Sequence, residues 1–274
     1  MSDHDVVALR TLAVDIAREA GDFADAARSE LGTGRRVPHD TKSSAIDPVT
    51  EFDRATEKLV VERLRAERPD DSIVGEEGAD HTGSNDLAWH VDPIDGTVNY
   101  VYDLPGWCTS VAVLRDGEPL AGAVYAPRLG DGVSAMFSAA RGEGATLGDR
   151  RLSVSDAVDL STSLVATGFS YHRDELRLRQ ADRIAQVLPH VRDIRRMGSA
   201  ALDLAFVAAG RLDAYFEEML NSWDVAAGVL LVTEAGGVVT SFDESPLDAA
   251  DPHGVLASGH GLYEPLAHRL RPTR

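Results

Sequence analysis

The chain has 274 residues, 45 acidic and 27 basic, with a formal charge of −18. That excess of negative charge disfavours nonspecific attachment to nucleic acid or to an anionic membrane. The single cysteine, Cys108, leaves no disulfide framework within the chain, no basic leader precedes an apolar core, and no apolar run is long enough to cross a bilayer, so a cytoplasmic protein is the expectation.

In chain order, Leu9, Leu12, Ala13, Ile16, Ala20, Phe23 and Ala27 recur at helical spacing and predict an amphipathic first helix. Gly32 to Pro38 breaks it, and Asp40 to Thr50 reads as loop or short strand. Thr50 stands three residues before Asp53, a start signal for a helix continued by Phe52, Ala55, Leu59, Val60 and Leu64. On this local pattern Asp53 is a capping residue or a metal or water ligand. Ser72 to Gly75 predicts a strand that delivers Glu76 and Glu77 at its end, where solvated acids are the ordinary outcome. After a polar loop, Leu87 to Val91 predicts a buried strand that turns at Asp92.

That turn, Asp92-Pro93-Ile94-Asp95-Gly96-Thr97, is the segment richest in chemistry. Proline forces Asp92 into extended backbone, so both aspartates converge on one point, where they repel and hold each other's protons unless a cation lies between them. Gly96 and Thr97 offer backbone N–H groups and a hydroxyl suited to phosphate. The segment predicts a hard divalent metal on carboxylate oxygens with phosphate beside it; the plain alternative is an acidic turn capped by the next helix. If the Ser72–Gly75 and Leu87–Val91 strands are neighbours, Glu76, Asp92 and Asp95 meet at one sheet edge.

Val111–Leu114, an Asp116-Gly117 turn and Ala121–Tyr125 predict a hairpin, followed by strands over Val133–Ala139 and Gly144–Leu147. The glycines of Gly142–Gly148 have the wrong spacing for a nucleotide loop. From Leu164–Thr167 strands and helices alternate: a helix from Asp174 to Leu188 stopped by Pro189, a strand from Val191 to Met197, and a small-residue helix from Ala200 to Ala209. Gly198 and Ser199 sit at the start of that helix, as an anion site or a plain N-cap. Leu212–Phe216 predicts a strand ending at Glu217-Glu218, and Val225–Glu234 an apolar helix closed by Gly236-Gly237 with Asp224 in its first turn. There Asp224 is a partner of the helix dipole or is aimed into a cleft. Val255–Ser258 and a helix over Leu262–Leu270 end the pattern. The β-rich first part (about 1–155) and the alternating second part (about 156–274) predict two subdomains of a single domain.

Taken together and in this order, Lys42–Asp53, Gly75-Glu76-Glu77, Asp92–Thr97, Gly198–Ala201, Trp223–Gly228 and Glu234–Gly237 resemble the inositol monophosphatase family, within the Mg²⁺-dependent, lithium-sensitive phosphatases. The likeness is greatest to the actinobacterial type, given Asp203-Leu204 and the run Ala208 to Glu217, and spans nearly the whole chain. It implies a mixed α+β and α/β fold, an α-β-α-β-α layered sandwich, and a homodimer. It implies metal ligation by Glu76, Asp92, Asp95, Asp224 and the Ile94 carbonyl, with two or three Mg²⁺ ions, or Mn²⁺ as substitute. It implies catalytic roles for Glu76, Thr97 and Asp53, phosphate held by Thr97 and the Gly96 backbone, and an alcohol portion facing Gly198, Ser199, Ala200 and Glu217 beside Asp95 and Asp224. Val98 and Tyr100, where the family often has Thr and Phe, lie past the ligand atoms.

Such a site hydrolyses a phosphate monoester by attack of water. The uncatalysed reaction is so slow that about 20 kcal/mol of stabilisation is required, and a side-chain base supplies only about 10²- to 10⁴-fold. Metal ions therefore carry most of it, and an all-oxygen donor set selects Mg²⁺ or Mn²⁺ over Zn²⁺. Myo-inositol 1-phosphate is the expected substrate; histidinol phosphate, fructose 1,6-bisphosphate and 3′-phosphoadenosine 5′-phosphate are the alternatives. A non-catalytic partner of the RNA-processing and transcription machinery, or a sugar-binding protein with a structural metal, are the rival classes.

Overall fold

The computed structural model describes residues 5–41, 48–130, 133–170 and 175–271; the Lys42–Asp47 part of the first motif therefore lies outside the described residues. In chain order the elements are α1 (Val6–Glu30), β1 (Asp40–Thr41), β2 (Pro48–Val49), α2 (Glu51–Glu67), β3 (Ser72–Gly75), β4 (Leu87–Asp95) and α3 (Thr97–Val101). Then come β5 (Cys108–Arg115), β6 (Glu118–Ala126), β7 (Ala135–Ala140), β8 (Gly144–Leu147), β9 (Arg150–Arg151), β10 (Leu164–Thr167), α4 (Glu175–Val187), β11 (Asp193–Arg195) and α5 (Ala200–Ala208). The last are β12 (Ala214–Glu218), α6 (Ser222–Glu234), β13 (Val238–Thr240), β14 (Gly254–Ser258) and α7 (His260–Leu270).

Two main sheets organise these elements. One has seven strands in the order β3-β4-β5-β6-β7-β8-β9, and the other five in the order β11-β10-β12-β14-β13. The alanine-rich buried face of α1 (Ala13, Ala17, Ala20) lies with Val60 and Leu64 of α2 on one side of the larger sheet, against Trp89, Val91, Val111 and Val113. On its other side α5 and α6 fill the space between the sheets, with Ala112, Val124 and Phe137 below them and Tyr215, Val255 and Ala257 above. Small residues set this spacing: a Cβ added at Gly228 of α6 would stand 2.6 Å from Leu204 of α5, and one at Gly122 of β6 3.2 Å from Ala227. Val187 of α4 and Leu266 and Leu270 of α7 pack on the far side of the smaller sheet, beside Val165, Phe216 and Leu256. The succession is helix, sheet, helix, sheet, helix, the expected layered sandwich.

Two local details place the acids. β3 and β4 are parallel neighbours, so the end of β3 and the end of β4 lie side by side. β4, moreover, does not stop at Val91: it runs on to Asp95, with an irregularity between Asp92, opposite Ser110, and Asp95, opposite Cys108. Pro93 has no N–H to give the ladder, which is why the pairing slips there. The Thr109 hydroxyl donates to the Pro93 carbonyl (2.9 Å), and the Asp92 carboxylate accepts the Ile94 N–H (3.0 Å), so the bend occurs within the strand.

Candidate active site

Where the end of β4, the start of α5, the end of β12 and the start of α6 meet, they enclose a pocket of about 400 Å³. Its lining includes Glu76, Asp92, Ile94, Asp95, Gly96, Thr97, Gly198, Ser199, Ala200, Glu217 and Asp224. Each expected site residue thus faces this one space except Asp53, which lies behind Thr97.

Asp53 serves two neighbours at once. Its Oδ2 accepts the Thr50 N–H (2.8 Å) and hydroxyl (2.5 Å), closing a capping box on α2, while its Oδ1 lies 3.3 Å from the Thr97 hydroxyl. That hydroxyl is also 3.1 Å from the Ile94 carbonyl, so its single proton is shared between two acceptors. Burial, with smaller contributions from Glu76 and Glu77, pushes the Asp53 carboxyl up to about 6 against the lowering effect of the Thr50 bonds.

Asp95 occupies the N-terminus of α5. Its Oδ2 accepts the Ser199 hydroxyl and the Ala201 N–H, both at 2.7 Å, and Ser199 in turn caps the helix by accepting the Leu202 N–H. The anion that this helix start receives is therefore a carboxylate of the protein. Even so, burial outweighs these bonds and raises Asp95 to about 6. Asp224 is held likewise, its Oδ2 accepting the Asn221 N–H (2.6 Å) in a capping box on α6.

Asp92 and Asp224 both hold their protons far above the ordinary carboxylate range, first because they are buried and then because of neighbouring acids. For Asp92 those neighbours are Glu76, Asp95 and Asp224, with a hydrogen bond to the Glu76 carboxyl; for Asp224 they are Asp95 and Glu76. Four acids from three separate parts of the chain thus act on one another. Among the described residues, no three His, Cys, Asp or Glu side chains stand close enough to form a ready-made metal cage. One oxygen each of Asp92 and Asp224 accepts an N–H a few residues away, and one of Asp95 accepts the Ala201 N–H at the start of α5. The donor chemistry nevertheless fits a hard cation: all the groups are oxygens, buried, and mutually repulsive once ionised.

A family model described as "Inositol monophosphatase family" matches residues 5–273. The chain belongs to the inositol monophosphatase family. The Mycobacterium tuberculosis H37Rv protein named inositol-1-monophosphatase SuhB is 44% identical over 285 residues, spanning 98% of this chain and 95% of that one. The Pasteurella multocida protein named Nus factor SuhB is 39% identical, over 91% of this chain and 88% of its own. Among solved structures, extragenic suppressor protein suhB from Bartonella henselae superposes with a TM-score of 0.88 at 33% identity, covering 97% of this chain and 100% of that one. Membership in this inositol monophosphatase family makes the chain a phosphatase of the hydrolase class.

Several contributors to the pocket escape sequence reasoning. Glu57, on α2 and 1% exposed, accepts the Glu77 and Ala79 N–H groups (2.7 and 2.9 Å), fixing the turn that presents Glu76. Gly75 leaves room for it, since a Cβ there would stand 2.6 Å from Glu57 Oε2. On the opposite wall the Tyr215 hydroxyl donates to Glu217 Oε2 (2.6 Å), and a Cβ at Gly168 would stand 1.9 Å from that oxygen. Burial raises Glu217 to about 7, against the lowering effect of Tyr215 and Arg196. Arg196 and Asp203 complete this wall. Two signals touched them without giving them a role: Asp203 and Tyr215 fall in stretches that carry the family resemblance, and Tyr215 and Glu217 alternate on one strand face.

Proposed function

We propose that the chain hydrolyses the phosphate monoester of a polyol with a divalent cation, Mg²⁺ first and Mn²⁺ as substitute, and that its substrate is myo-inositol 1-phosphate. The observation that carries this reading is the convergence of Glu76, Asp92, Asp95 and Asp224 on one polar pocket. Family membership and the name of the M. tuberculosis relative support the same substrate.

In this reading Glu76, Asp92, Asp95, Asp224 and the Ile94 carbonyl hold the metal. Divalent cations there would lower the pKa of water and offset charge on the phosphoryl oxygens and leaving alkoxide. The Gly96 backbone and the Thr97 hydroxyl bind phosphate. Gly96 has φ +97° and packs against the Gly106 and Gly198 carbonyls, so its backbone can lie open to the pocket only without a side chain. Thr97, tied to Asp53 Oδ1, orients the attacking water, and Asp53 remains the acceptor behind it. Glu76, at the edge where β3 and β4 lie side by side, completes the catalytic set. Gly198, Ser199, Ala200 and Glu217 take the alcohol portion; with one oxygen fixed by Tyr215, Glu217 presents the other to sugar hydroxyls. Lithium inhibition, a homodimer, a cytoplasmic location and two subdomains of one domain, about 1–155 and 156–274, belong to the same reading. No described helix is long and apolar enough to cross a membrane.

A second reading, action as a partner of the transcription machinery, is favoured by the name of the P. multocida relative. The charge of −18 disfavours direct contact with RNA. The test is a phosphate-release panel over myo-inositol 1-phosphate, histidinol phosphate, fructose 1,6-bisphosphate and 3′-phosphoadenosine 5′-phosphate, with and without Mg²⁺ and Li⁺. Mg²⁺-dependent release, greatest from the inositol ester, is the expected result. Release from none of them, with RNA binding that persists without Mg²⁺, would replace the first reading with the second.

A further inference from the structure

Asp203 lies one turn inside α5, at the floor of the pocket beside Glu217. It is 2% exposed, and its Oδ1 is enclosed with no hydrogen-bond partner among the described residues. Helical side chains lean toward the N-terminus of their helix, which places this carboxyl under the Ser199–Ala200 turn that forms the alcohol side of the pocket. The cap of α5 is already complete without it, made by Ser199 and by Asp95. A buried carboxyl oxygen with no partner among the described residues costs stability, and such groups call for an explanation such as a ligand that satisfies them.

The surroundings indicate what kind of ligand that is. Glu217 is the strongest charged influence on Asp203, and Asp95 also acts on it; together with burial they keep its proton on well above the ordinary range. Tyr215, wholly buried, is influenced by both Glu217 and Asp203. Two carboxyls, Asp203 and Glu217, thus line the pocket together, with the Tyr215 phenol behind Glu217, and Arg196 is the cation among the pocket's described lining residues. Groups that both donate and accept match vicinal hydroxyls, whereas a planar aryl ring offers them nothing.

We propose that Asp203 is a further specificity-determining residue, its carboxyl completing with Glu217 the surface that takes the hydroxyl groups of a polyol phosphate. This inference rests on the phosphatase reading above. It is tested with the purified full-length chain on myo-inositol 1-phosphate and p-nitrophenyl phosphate in Mg²⁺, comparing wild type, Asp203→Ala and Asp203→Asn, each checked for cooperative melting. Asp203→Ala should raise KM for the inositol ester about tenfold with kcat nearly kept, lowering the ratio of kcat/KM between the two esters by about the same factor. Asp203→Asn, which has the shape and hydrogen-bonding capacity of a neutral carboxyl, should restore most of that ratio. Should Asp203→Ala fail to fold, Asp203→Asn is compared with Asp203→Leu on the same ratio. Equal losses on both esters, or a ratio unmoved in every folded variant, would overturn the assignment while leaving the phosphatase reading intact. A wild-type protein that cleaves neither ester would overturn that reading itself, and the inference with it.

Discussion

The pocket has two facing walls that restrain their acids by different means. On the wall that ends β4 and opens α6, Asp92, Asp95 and Asp224 each have one oxygen tied to a backbone N–H a few residues away or at an adjoining helix start. On the wall made by β12 and α5, Glu217 is held by a tyrosine hydroxyl, and Asp203 has an oxygen with no hydrogen-bond partner among the described residues. Backbone caps fix position to within a bond length whatever the neighbouring side chains are, as required of groups that share a multivalent ion. Side-chain restraint can be retuned by a single substitution, as required of groups that read an alcohol. In the function proposed above, the first wall would carry the phosphate chemistry and the second the choice of leaving group.

Substitutions on the two walls should separate along that line. The largest effect is expected for Asp95→Asn: turnover falls by on the order of 10³-fold or more with a small change in melting temperature, because the amide fills the same space beside Ser199. Full activity at saturating Mg²⁺ would erase the distinction between the walls. Next, Gly96→Ala introduces a Cβ at φ +97° against the Gly106 carbonyl (3.1 Å), for a loss of about 1–3 kcal/mol in urea unfolding. An unchanged urea midpoint would show that this backbone is not constrained. Glu217→Gln should change the preference among alcohols by about tenfold while slowing p-nitrophenyl phosphate hydrolysis far less; uniform loss would move Glu217 to the first wall.

Glu217 also has a pH signature. In the folded chain burial keeps its proton on to about pH 7, against an ordinary value of 4.5. Between those values the folded state binds more protons than the unfolded state, so this group's contribution to stability is fully present below about 4.5 and is lost as pH rises through about 7. The fall in urea midpoint from pH 5 to pH 7.5 should accordingly be smaller in Glu217→Gln than in wild type, and an identical fall would contradict the burial argument. The smallest effect belongs to a control far from both walls. Lys58 and Glu62 form an exposed pair at 3.8 Å, and Lys58→Ala should change stability by no more than about 0.5 kcal/mol.

How far the sequence revealed this arrangement depended on the range of the interactions. Glu76 next to Asp92 was legible because β3 and β4 are short, apolar and close in sequence, and their pairing brings both ends to one edge. The Thr50 start signal was legible because a capping box is complete within four residues. The continuation of β4 through Pro93 was not, since it depends on the Thr109 hydroxyl arriving from β5 to meet the Pro93 carbonyl. The occupation of the α5 start by Asp95 joins residues 104 positions apart, and no local pattern encodes it. Asp203 was hidden for a further reason: on an apolar helix, a lone acid in the first turn matches the helix dipole so well that nothing else is needed to account for it.

The central claim is that the first wall binds a divalent ion through carboxylates drawn from distant parts of the chain. It is tested most directly by calorimetric titration of Mn²⁺ and Mg²⁺ into the wild-type protein and into Asp92→Asn and Asp224→Asn, with melting curves confirming the fold of each. Saturable binding to the wild type, weakened by at least about tenfold in both variants, is the result this account requires. Wild-type affinity retained in both variants, or no binding to the wild type at all, would contradict it.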